Sequence, residues 1–334
     1  MIPKEYYGRL FTKEQLPVNY HPEALTLESM IKVDKQLRCK RCYSRIEEDW
    51  QLPGGQYYCR ACIVFGRNQE GKELYYFPSK TSEIEFPVLK WFGELTPYQA
   101  KVSEKLLRTY QKQKDSLVHA VTGAGKTEMI YNIVAYVLEN KGHVAIASPR
   151  VDVCRELFLR MKRDFTCSIS LLHAESEPYD GSPLVIATTH QLLKFYQNFD
   201  LVIVDEVDAF PFVGNVMLNH AVEQAKKETG RYIYLTATST ISLEEQVRLG
   251  ALEKHHLARR FHGNPLVLPK FFWQGRLQKS LMRGKLPRPL VYQIKKQRKS
   301  KFPLLIFFPN IAIGEKFTSI LQKYLPDEKM AFVS

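Results

Sequence analysis

The sequence predicts an α/β protein whose main domain is a parallel sheet flanked by helices, and three observations support this fold class. Apolar runs typical of buried strands alternate with helical patterns between residues 115 and 258. A Gly-rich turn links the first of these strands to a helix. A later apolar strand ends in two adjacent carboxylates. Since ligands of such sheets bind at the carboxyl ends of the strands, both polar features lie where a site is expected.

The individual elements follow from local patterns. Strands are predicted at residues 117–121, 143–147, 168–172, 184–188, 201–205 and 231–236. Helical patterns lie near 126–140, 151–164, 190–197 and 215–228. A further helix is expected to begin at Thr96-Pro97 and to run to about Lys114, because Thr is a favoured N-cap and Pro suits the first helical position.

Composition excludes several classes of protein. The chain has 334 residues, 45% of them hydrophobic, which suffices for about two domains and an appendage. Its net charge of +13 predicts a polyanionic partner, either nucleic acid or an anionic membrane surface. No apolar run approaches the roughly eighteen residues of a membrane span, and the N-terminus is unlike a signal peptide. We therefore expect a cytoplasmic protein without a membrane span, either free or peripheral at the inner face of the membrane.

The segment 120–128 predicts a phosphate-binding loop between a strand and a helix. Its glycines let backbone N–H groups point inward, and the helix N-terminus adds its dipole. Lys126 is expected to reach the β- and γ-phosphates of ATP, and the Thr127 hydroxyl to hold Mg²⁺. The predicted nucleotide-binding residues are Gln99, Gly123, Ala124, Gly125, Lys126, Thr127 and Glu128. The usual pattern begins with Gly where this chain has Ala120, so a plain surface turn is the alternative.

Gln99 lies in the first turn of the predicted helix, twenty-seven residues before Lys126. Its amide offers both a donor and an acceptor, so it can read the edge of an adenine base. The alternative interpretation of the segment 95–99 is a helix cap without a nucleotide contact.

The segment 201–208 is an apolar strand that ends in acidic residues. We expect Asp205 to hold Mg²⁺ through water and Glu206 to polarise the water that attacks the γ-phosphate. Together with Lys126 they are the predicted catalytic residues. A strand-end acidic pair alone is often a solvated turn, but a phosphate loop upstream favours the catalytic interpretation.

Four cysteines are arranged as two Cys-x-x-Cys pairs separated by sixteen residues: Cys39, Cys42, Cys59 and Cys62. This spacing fits a four-thiolate Zn²⁺ site, whereas four reduced core thiols are the alternative. Four thiolates leave no open position for water, so the metal is expected to be structural. Pro53-Gly54-Gly55 predicts a turn between short strands at 50–52 and 56–58.

Basic and aromatic side chains are interleaved around these cysteines, with Arg41 and Arg60 among the basic ones. Such a surface suits single-stranded nucleic acid, because phosphates pair with Arg and Lys while bases stack on rings. Alternatively, the aromatic rings fill the small core of the module and the charges only solubilise it.

Hydroxyl side chains follow two predicted strands in front of helix starts, where phosphates bind readily. Ser148, Thr188 and Thr189 are therefore candidate contacts to a nucleic-acid backbone, and N-caps are the alternative role. Arg150 adds a charge that a cap does not require, which favours a backbone contact at that strand end.

These motifs together resemble those of known nucleotide-driven motors. Segments 120–128 and 205–208 resemble the Walker A and Walker B motifs of superfamily-two helicases, and 95–99 resembles their Q motif. Segments 148–150 and 188–193 resemble the strand-end motifs that touch nucleic acid. Segment 235–238 resembles the Thr-Ala-Thr motif, which implies that Thr236 and Thr238 couple hydrolysis to strand movement. With the upstream four-Cys module, the set resembles the family of the late competence protein ComFA.

The resemblance implies a RecA-like domain that uses ATP and Mg²⁺, a Zn²⁺ module, and a motor acting on single-stranded DNA during DNA uptake in competence. Implied partners are a membrane DNA channel and a phosphoribosyltransferase-like competence protein. One alternative is a duplex-unwinding replication-restart helicase of the PriA type. Another, from a different class, is a zinc-dependent DNA-binding or scaffold protein without turnover.

The segment 254–314 contains fourteen Lys and Arg residues and no Asp or Glu. A run of this kind predicts a track for a polyanion. Near the end of this segment a buried strand is expected at 303–309, and a helix is expected to follow at 313–324. This is too little for a complete second lobe, so we expect the chain to be C-terminally incomplete or a degenerate copy.

The predicted domain limits follow from these features. They are an N-terminal extension at 1–34, a four-Cys zinc module at 35–67, a linker at 68–94, a RecA-like ATP-binding domain at 95–258, a basic linker at 259–301 and the start of an incomplete second RecA-like domain at 302–334.

Overall fold

The computed structural model describes residues 2–263, 269–275 and 277–333. The chain divides into two compact units, Met1–Leu266 and Val267–Ser334. Each unit has an apolar core of its own.

The N-terminal part of the first unit contains two small antiparallel sheets. Their strands are β1 (Leu10–Thr12), β2 (Leu25–Glu28), β3 (Met30–Val33), β4 (Gln36–Cys39) and β5 (Glu73–Tyr76). β5 pairs with both β1 and β2, while β3 and β4 form a hairpin that ends at the first cysteine of the four-Cys pattern. Short 3-10 helices lie at Lys4–Tyr6, Lys13–Gln15, Val18–Glu23 and Ile63–Phe65. The short strands expected at 50–52 and 56–58 are reduced to an isolated bridge between Gln51 and Tyr57.

A seven-stranded sheet forms the main domain. Its strands are β6 (Asp115–Ala120), β7 (Val144–Ser148), β8 (Ile169–Leu172), β9 (Leu184–Thr188), β10 (Phe199–Asp205), β11 (Lys226–Thr236) and β12 (Leu252–Leu257). Their order is β12-β6-β11-β10-β7-β9-β8, and each of these pairings is parallel. This confirms the predicted fold class, a RecA-like parallel sheet with an N-terminal four-Cys module.

Helices flank the sheet and bury both of its faces. They are α1 (Pro97–Gln111), α2 (Lys126–Met129), α3 (Tyr131–Glu139), α4 (Val151–Asp164), α5 (Val216–Ala225) and α6 (Ile241–Arg248). Val202 and Val204 of β10 belong to one apolar cluster, and Leu201 and Ile203 belong to the other. Because alternate side chains of β10 enter different cores, the strand reads as a continuous apolar run.

The six strands predicted between residues 117 and 236 are present, and three local details of this domain differ from the expectation. β12 was not predicted, because its sequence Leu-Glu-Lys-His-His-Leu contains few apolar residues. The helix expected near 190–197 is a short 3-10 helix at Thr189–Lys194. The helix expected at 126–140 divides at Ile130, whose N–H bonds the Thr127 carbonyl at 3.3 Å, a tighter 3-10 type of turn.

The second unit contains α7 (Leu277–Met282), α8 (Arg288–Arg298) and α9 (Ile311–Gln322). Its core includes Val291, Ile294 and Phe317. The strand expected at 303–309 is wrong, since no strand is present in the described part of this unit, and Phe307 is 87% exposed. A lone strand has no neighbour for its backbone hydrogen bonds, so an apolar run alone does not produce one. None of the described helices is both long and apolar enough to cross a membrane.

Candidate active site

The phosphate-loop segment turns sharply between β6 and α2. Gly123 and Gly125 have φ angles of +78° and +73°, a region that suits glycine. A Cβ at Gly125 would lie 2.3 Å from the Gln99 Nε2 atom, so any larger residue there would clash. The Lys126 ammonium lies 3.5 Å from the Ala120 carbonyl, at the base of the loop.

Gln99 holds the loop from the side of α1. Its Oε1 atom accepts hydrogen bonds of 2.9 Å from both the N–H and the hydroxyl of Thr96. Its Nε2 atom donates to the Ala124 carbonyl at 2.9 Å. Gln99 is only 6% exposed, so its amide joins the start of α1 to the loop in this structure.

The acidic residues lie at the end of β10. The Glu206 N–H donates to the Asp205 carboxylate at 2.9 Å, and Glu206 has a φ angle of +55°. Burial raises the pKa of Asp205, and the nearby Lys126 charge opposes that rise. The structure therefore brings Lys126, Asp205 and Glu206 to the same edge of the sheet.

Arg150 connects this acidic edge to the next strand end. It precedes α4, and its Nη1 atom lies 3.8 Å from Glu206 Oε2. The same guanidinium donates to both carboxylate oxygens of Asp152, at 3.3 and 2.5 Å. Its side chain is 53% exposed, so the charge also faces solvent.

The hydroxyl groups at the strand ends are buried, whereas the Arg150 side chain is partly exposed. Ser148 and Thr188 face each other in register on β7 and β9. Ser148, Thr188 and Thr189 are all buried. The Ser148 hydroxyl accepts a hydrogen bond from the Arg150 N–H at 3.4 Å. The structure thus brings these residues to one edge, with Arg150 as the exposed member.

Thr236 lies at the end of β11 beside the acidic segment. Its hydroxyl is 2.7 Å from an Asp208 carboxylate oxygen and accepts a hydrogen bond from the Thr238 N–H at 3.0 Å. The segment 235–238 is therefore in direct contact with the segment 205–208.

The segment after β12 covers the phosphate loop, and sequence patterns did not reveal this. The Phe261 N–H donates to the Gly123 carbonyl at 3.0 Å. The Arg259 guanidinium lies 5.1 Å from the centre of the Tyr98 ring. A cavity of about 280 Å³ separates α1 from this segment. Its wall includes Thr96, Tyr98, Gln99, Arg259, Arg260 and Phe261. Because β12 is not evident from the sequence, the position of the segment that follows it could not be predicted.

The four cysteines form a metal-binding cluster. Their sulfur atoms all lie within 4.8 Å of one another, and all four residues are buried. The Asn68 side chain donates to Cys39 Sγ at 3.0 Å, an outer contact that orients one of the donors. Four converging sulfur atoms in two Cys-x-x-Cys pairs fit the tetrahedral coordination of a thiophilic ion.

The four-Cys module packs on the main domain through α5. The Lys40 carbonyl lies 3.0 Å from His220 Nε2, and the Tyr43 ring stacks on the imidazole of His220 with centroids 5.1 Å apart. Arg41 was expected to face nucleic acid, but it is fully buried and donates to the Gly66 carbonyl at 2.8 Å. That expectation is corrected: the side chain supports the module from within. Arg60 is exposed and paired with Asp49 at 3.2 Å.

Residues 96–246 match the family model "DEAD/DEAH box helicase", so the parallel-sheet domain is a helicase-type ATPase domain. The chain is 54% identical to "Competence protein ComFA" of Streptococcus pneumoniae (strain ATCC BAA-255 / R6), with 99% of this chain and 76% of that protein covered. It is 35% identical to "Competence protein ComFA" of Bacillus subtilis (strain 168), with 92% and 68% covered. The chain belongs to the ComFA family.

Solved structures of helicases are also similar. A crystal structure of a DEAD box protein from the hyperthermophile Methanococcus jannaschii is 17% identical with a TM-score of 0.41, and the match covers 50% of each chain.

Proposed function

We propose that this chain is an ATP-driven motor that moves along single-stranded DNA during DNA uptake in competence. The observation that carries the proposal is the convergence of Lys126, Asp205 and Glu206 at one edge of the sheet, next to a glycine loop and a helix start. The names of the two ComFA relatives support the role in competence.

The roles of the site residues follow from their chemistry. The backbone N–H groups of the loop and the Lys126 ammonium bind the phosphates of ATP. Thr127 and Asp205 are the residues that would hold Mg²⁺, which neutralises phosphate charge when bound. The Glu206 carboxylate orients and polarises the attacking water. Gln99 holds the loop through Ala124, and its role as an adenine reader remains a prediction.

We propose that the four-Cys cluster binds one Zn²⁺ in a structural role. Thiolate sulfurs are the ligands that Zn²⁺ prefers in closed four-coordinate sites. The cluster lies in the same apolar core as Leu218 and Ala221 of α5. The metal would therefore support the packing of the module on the main domain.

The acid-free segment 254–314 is proposed as part of the path for DNA. Phe271 and Trp273 are 92% and 95% exposed, so bases can stack on them while basic residues bind phosphates. Arg276 and residues 264–268 of this segment lie outside the described residues. Arg150 is the proposed phosphate contact on the main domain, with Ser148, Thr188 and Thr189 behind it.

A cytoplasmic location, free or at the inner face of the membrane, is part of the proposal. The proposed partners are a membrane DNA channel and a phosphoribosyltransferase-like competence protein. They rest on the family resemblance alone, and pull-down of each candidate with the purified chain would test them.

The proposed activity is tested by ATP hydrolysis with single-stranded DNA, blunt duplex DNA or no DNA, together with displacement of streptavidin from a biotinylated single strand. We expect stimulation and displacement with the single strand only, and neither with Lys126→Ala. Unwinding of the blunt duplex would favour a replication-restart type of helicase. No hydrolysis under any condition would favour a DNA-binding scaffold without turnover.

A further inference from the structure

The carboxylates of Glu206 and Asp152 both lie close to the guanidinium of Arg150. The Arg150 guanidinium forms a close two-point contact with Asp152, with its shorter N–O distance at 2.5 Å. It reaches Glu206 Oε2 at the longer distance of 3.8 Å. A guanidinium between two carboxylates can move from one to the other at little cost, because its fork fits either of them.

The Glu206 oxygen that faces Arg150 is poorly satisfied. Oε2 is buried and has no hydrogen-bond partner in the described part of the chain. Glu206 has a positive φ angle of +55°, a backbone conformation that non-glycine residues rarely adopt. The Arg150 guanidinium is an opposite charge within ion-pair distance of this carboxylate, while Asp205 adds a like charge next to it.

We propose that Arg150 is a positioning residue that restrains Glu206 until DNA binds. This inference rests on the proposed function, since it assigns Glu206 to water activation and Arg150 to the DNA backbone. Without DNA, the guanidinium holds the Glu206 carboxylate in an ion pair, so that this side chain is not free to orient the attacking water. A DNA phosphate then takes over the guanidinium, and Glu206 becomes free to orient water.

A DNA phosphate can displace Glu206 from the Arg150 guanidinium. Two of its oxygens can accept parallel hydrogen bonds from the planar guanidinium fork, whereas Glu206 lies 3.8 Å away in a single contact. The Arg150 side chain is 53% exposed, so a DNA strand can reach it. The same movement links DNA binding to the release of Glu206 from Arg150, so these two equilibria favour each other.

Asp152 sets the strength of the restraint. It lies in the first turn of α4 and competes with Glu206 for the same guanidinium. Removing the Asp152 charge should let Arg150 pair more fully with Glu206. The inference thus predicts changes of opposite sign for Arg150 and Asp152 variants, which a loss of folding cannot produce.

The test is ATP hydrolysis by the full chain with and without a single-stranded oligonucleotide. Arg150→Ala should raise hydrolysis without DNA by roughly fivefold or more and bring the stimulation by DNA close to one. Asp152→Asn should lower hydrolysis without DNA below wild type while stimulation is retained. Arg155→Ala is the matched control, because it removes an exposed charge from the same helix. It should change neither the hydrolysis rate without DNA nor the stimulation by DNA.

Folding of each variant is checked by thermal unfolding. Hydrolysis without DNA that stays at or below the wild-type rate in Arg150→Ala would overturn this inference alone, provided that the wild type is stimulated by DNA. Faster hydrolysis without DNA in Asp152→Asn than in the wild type would also overturn this inference and leave the proposed function standing. A wild type without hydrolysis under either condition would overturn the proposed function and this inference together.

Discussion

The Thr236 hydroxyl and the Asp208 carboxylate are 2.7 Å apart, and this contact joins the ends of β11 and β10. Thr236 is fully buried, so its hydroxyl has little access to water. The contact makes the segment 235–238 a candidate for coupling to the acidic segment that contains Asp205 and Glu206.

Thr236→Val removes this hydrogen bond, and the one that the hydroxyl accepts from the Thr238 N–H, while keeping the shape of the side chain. A hydrogen bond to a charged group contributes about 1.5–3 kcal/mol, so we expect DNA-stimulated hydrolysis to fall by roughly tenfold or more. Binding of ATP should change little, because the phosphate loop is not altered. Steady-state hydrolysis and equilibrium binding of a fluorescent ATP analogue measure the two effects. Thr236→Ser keeps the hydroxyl and should behave like wild type; an equal loss in both variants would argue against the role of the hydrogen bond.

Removal of metal from the four-Cys cluster should destabilise the first unit. The four sulfur atoms lie in the core that also contains Leu218 of α5. We expect Cys39→Ser, or prolonged chelation, to remove one Zn²⁺ per chain and to lower Tm by roughly 10 °C. Elemental analysis and calorimetry provide the readouts. Cys167→Ser is the control, since that half-buried thiol lies outside the cluster and should leave the Zn²⁺ content unchanged. Full Zn²⁺ occupancy in Cys39→Ser would contradict the assignment.

His143 should make stability sensitive to acid. Burial, followed by the charge of Lys227, lowers its pKa from 6.5 to about 4, while Asp200 opposes the shift. Its Nε2 atom lies 3.0 Å from the Ser82 hydroxyl. The unfolded chain binds the proton more readily than the folded one. The stabilisation is therefore present above pH 6.5 and is lost as pH falls from 6.5 towards 4.

The expected loss of unfolding free energy from His143 is about 3 kcal/mol over that range. Urea denaturation at a series of pH values measures it. His143→Gln should remove this part of the slope, because Gln does not titrate, whereas the slope from carboxyl groups remains. Identical slopes in the variant and the wild type would show that His143 does not titrate differently in the two states.

Local patterns were sufficient to predict the sheet and the edge at which the site residues meet. The run 201–205 and the glycines at 123 and 125 each carry their signal within a few neighbouring residues. The carboxyl ends of parallel strands share one edge, so Lys126, Asp205 and Glu206 could be placed together before their contacts were known.

Other features depend on partners that are distant in sequence. Arg41 resembles a surface charge in sequence, but it is buried because the fold of the module places the Gly66 carbonyl beside it. The contact between Phe261 and Gly123 depends on β12, an edge strand with few apolar residues. The apolar run 303–309 predicted a strand, but no described residue of its unit pairs with it as a strand. These three features are determined by contacts between residues that are far apart in the sequence.

The most direct test of the central claim separates nucleotide binding from turnover at the predicted site. Binding of a fluorescent ATP analogue and hydrolysis with single-stranded DNA are measured for wild type, Lys126→Ala and Glu206→Gln. We expect Glu206→Gln to bind with wild-type affinity and to hydrolyse at least about 100-fold more slowly, whereas Lys126→Ala loses binding. Wild-type turnover in Glu206→Gln would contradict the account.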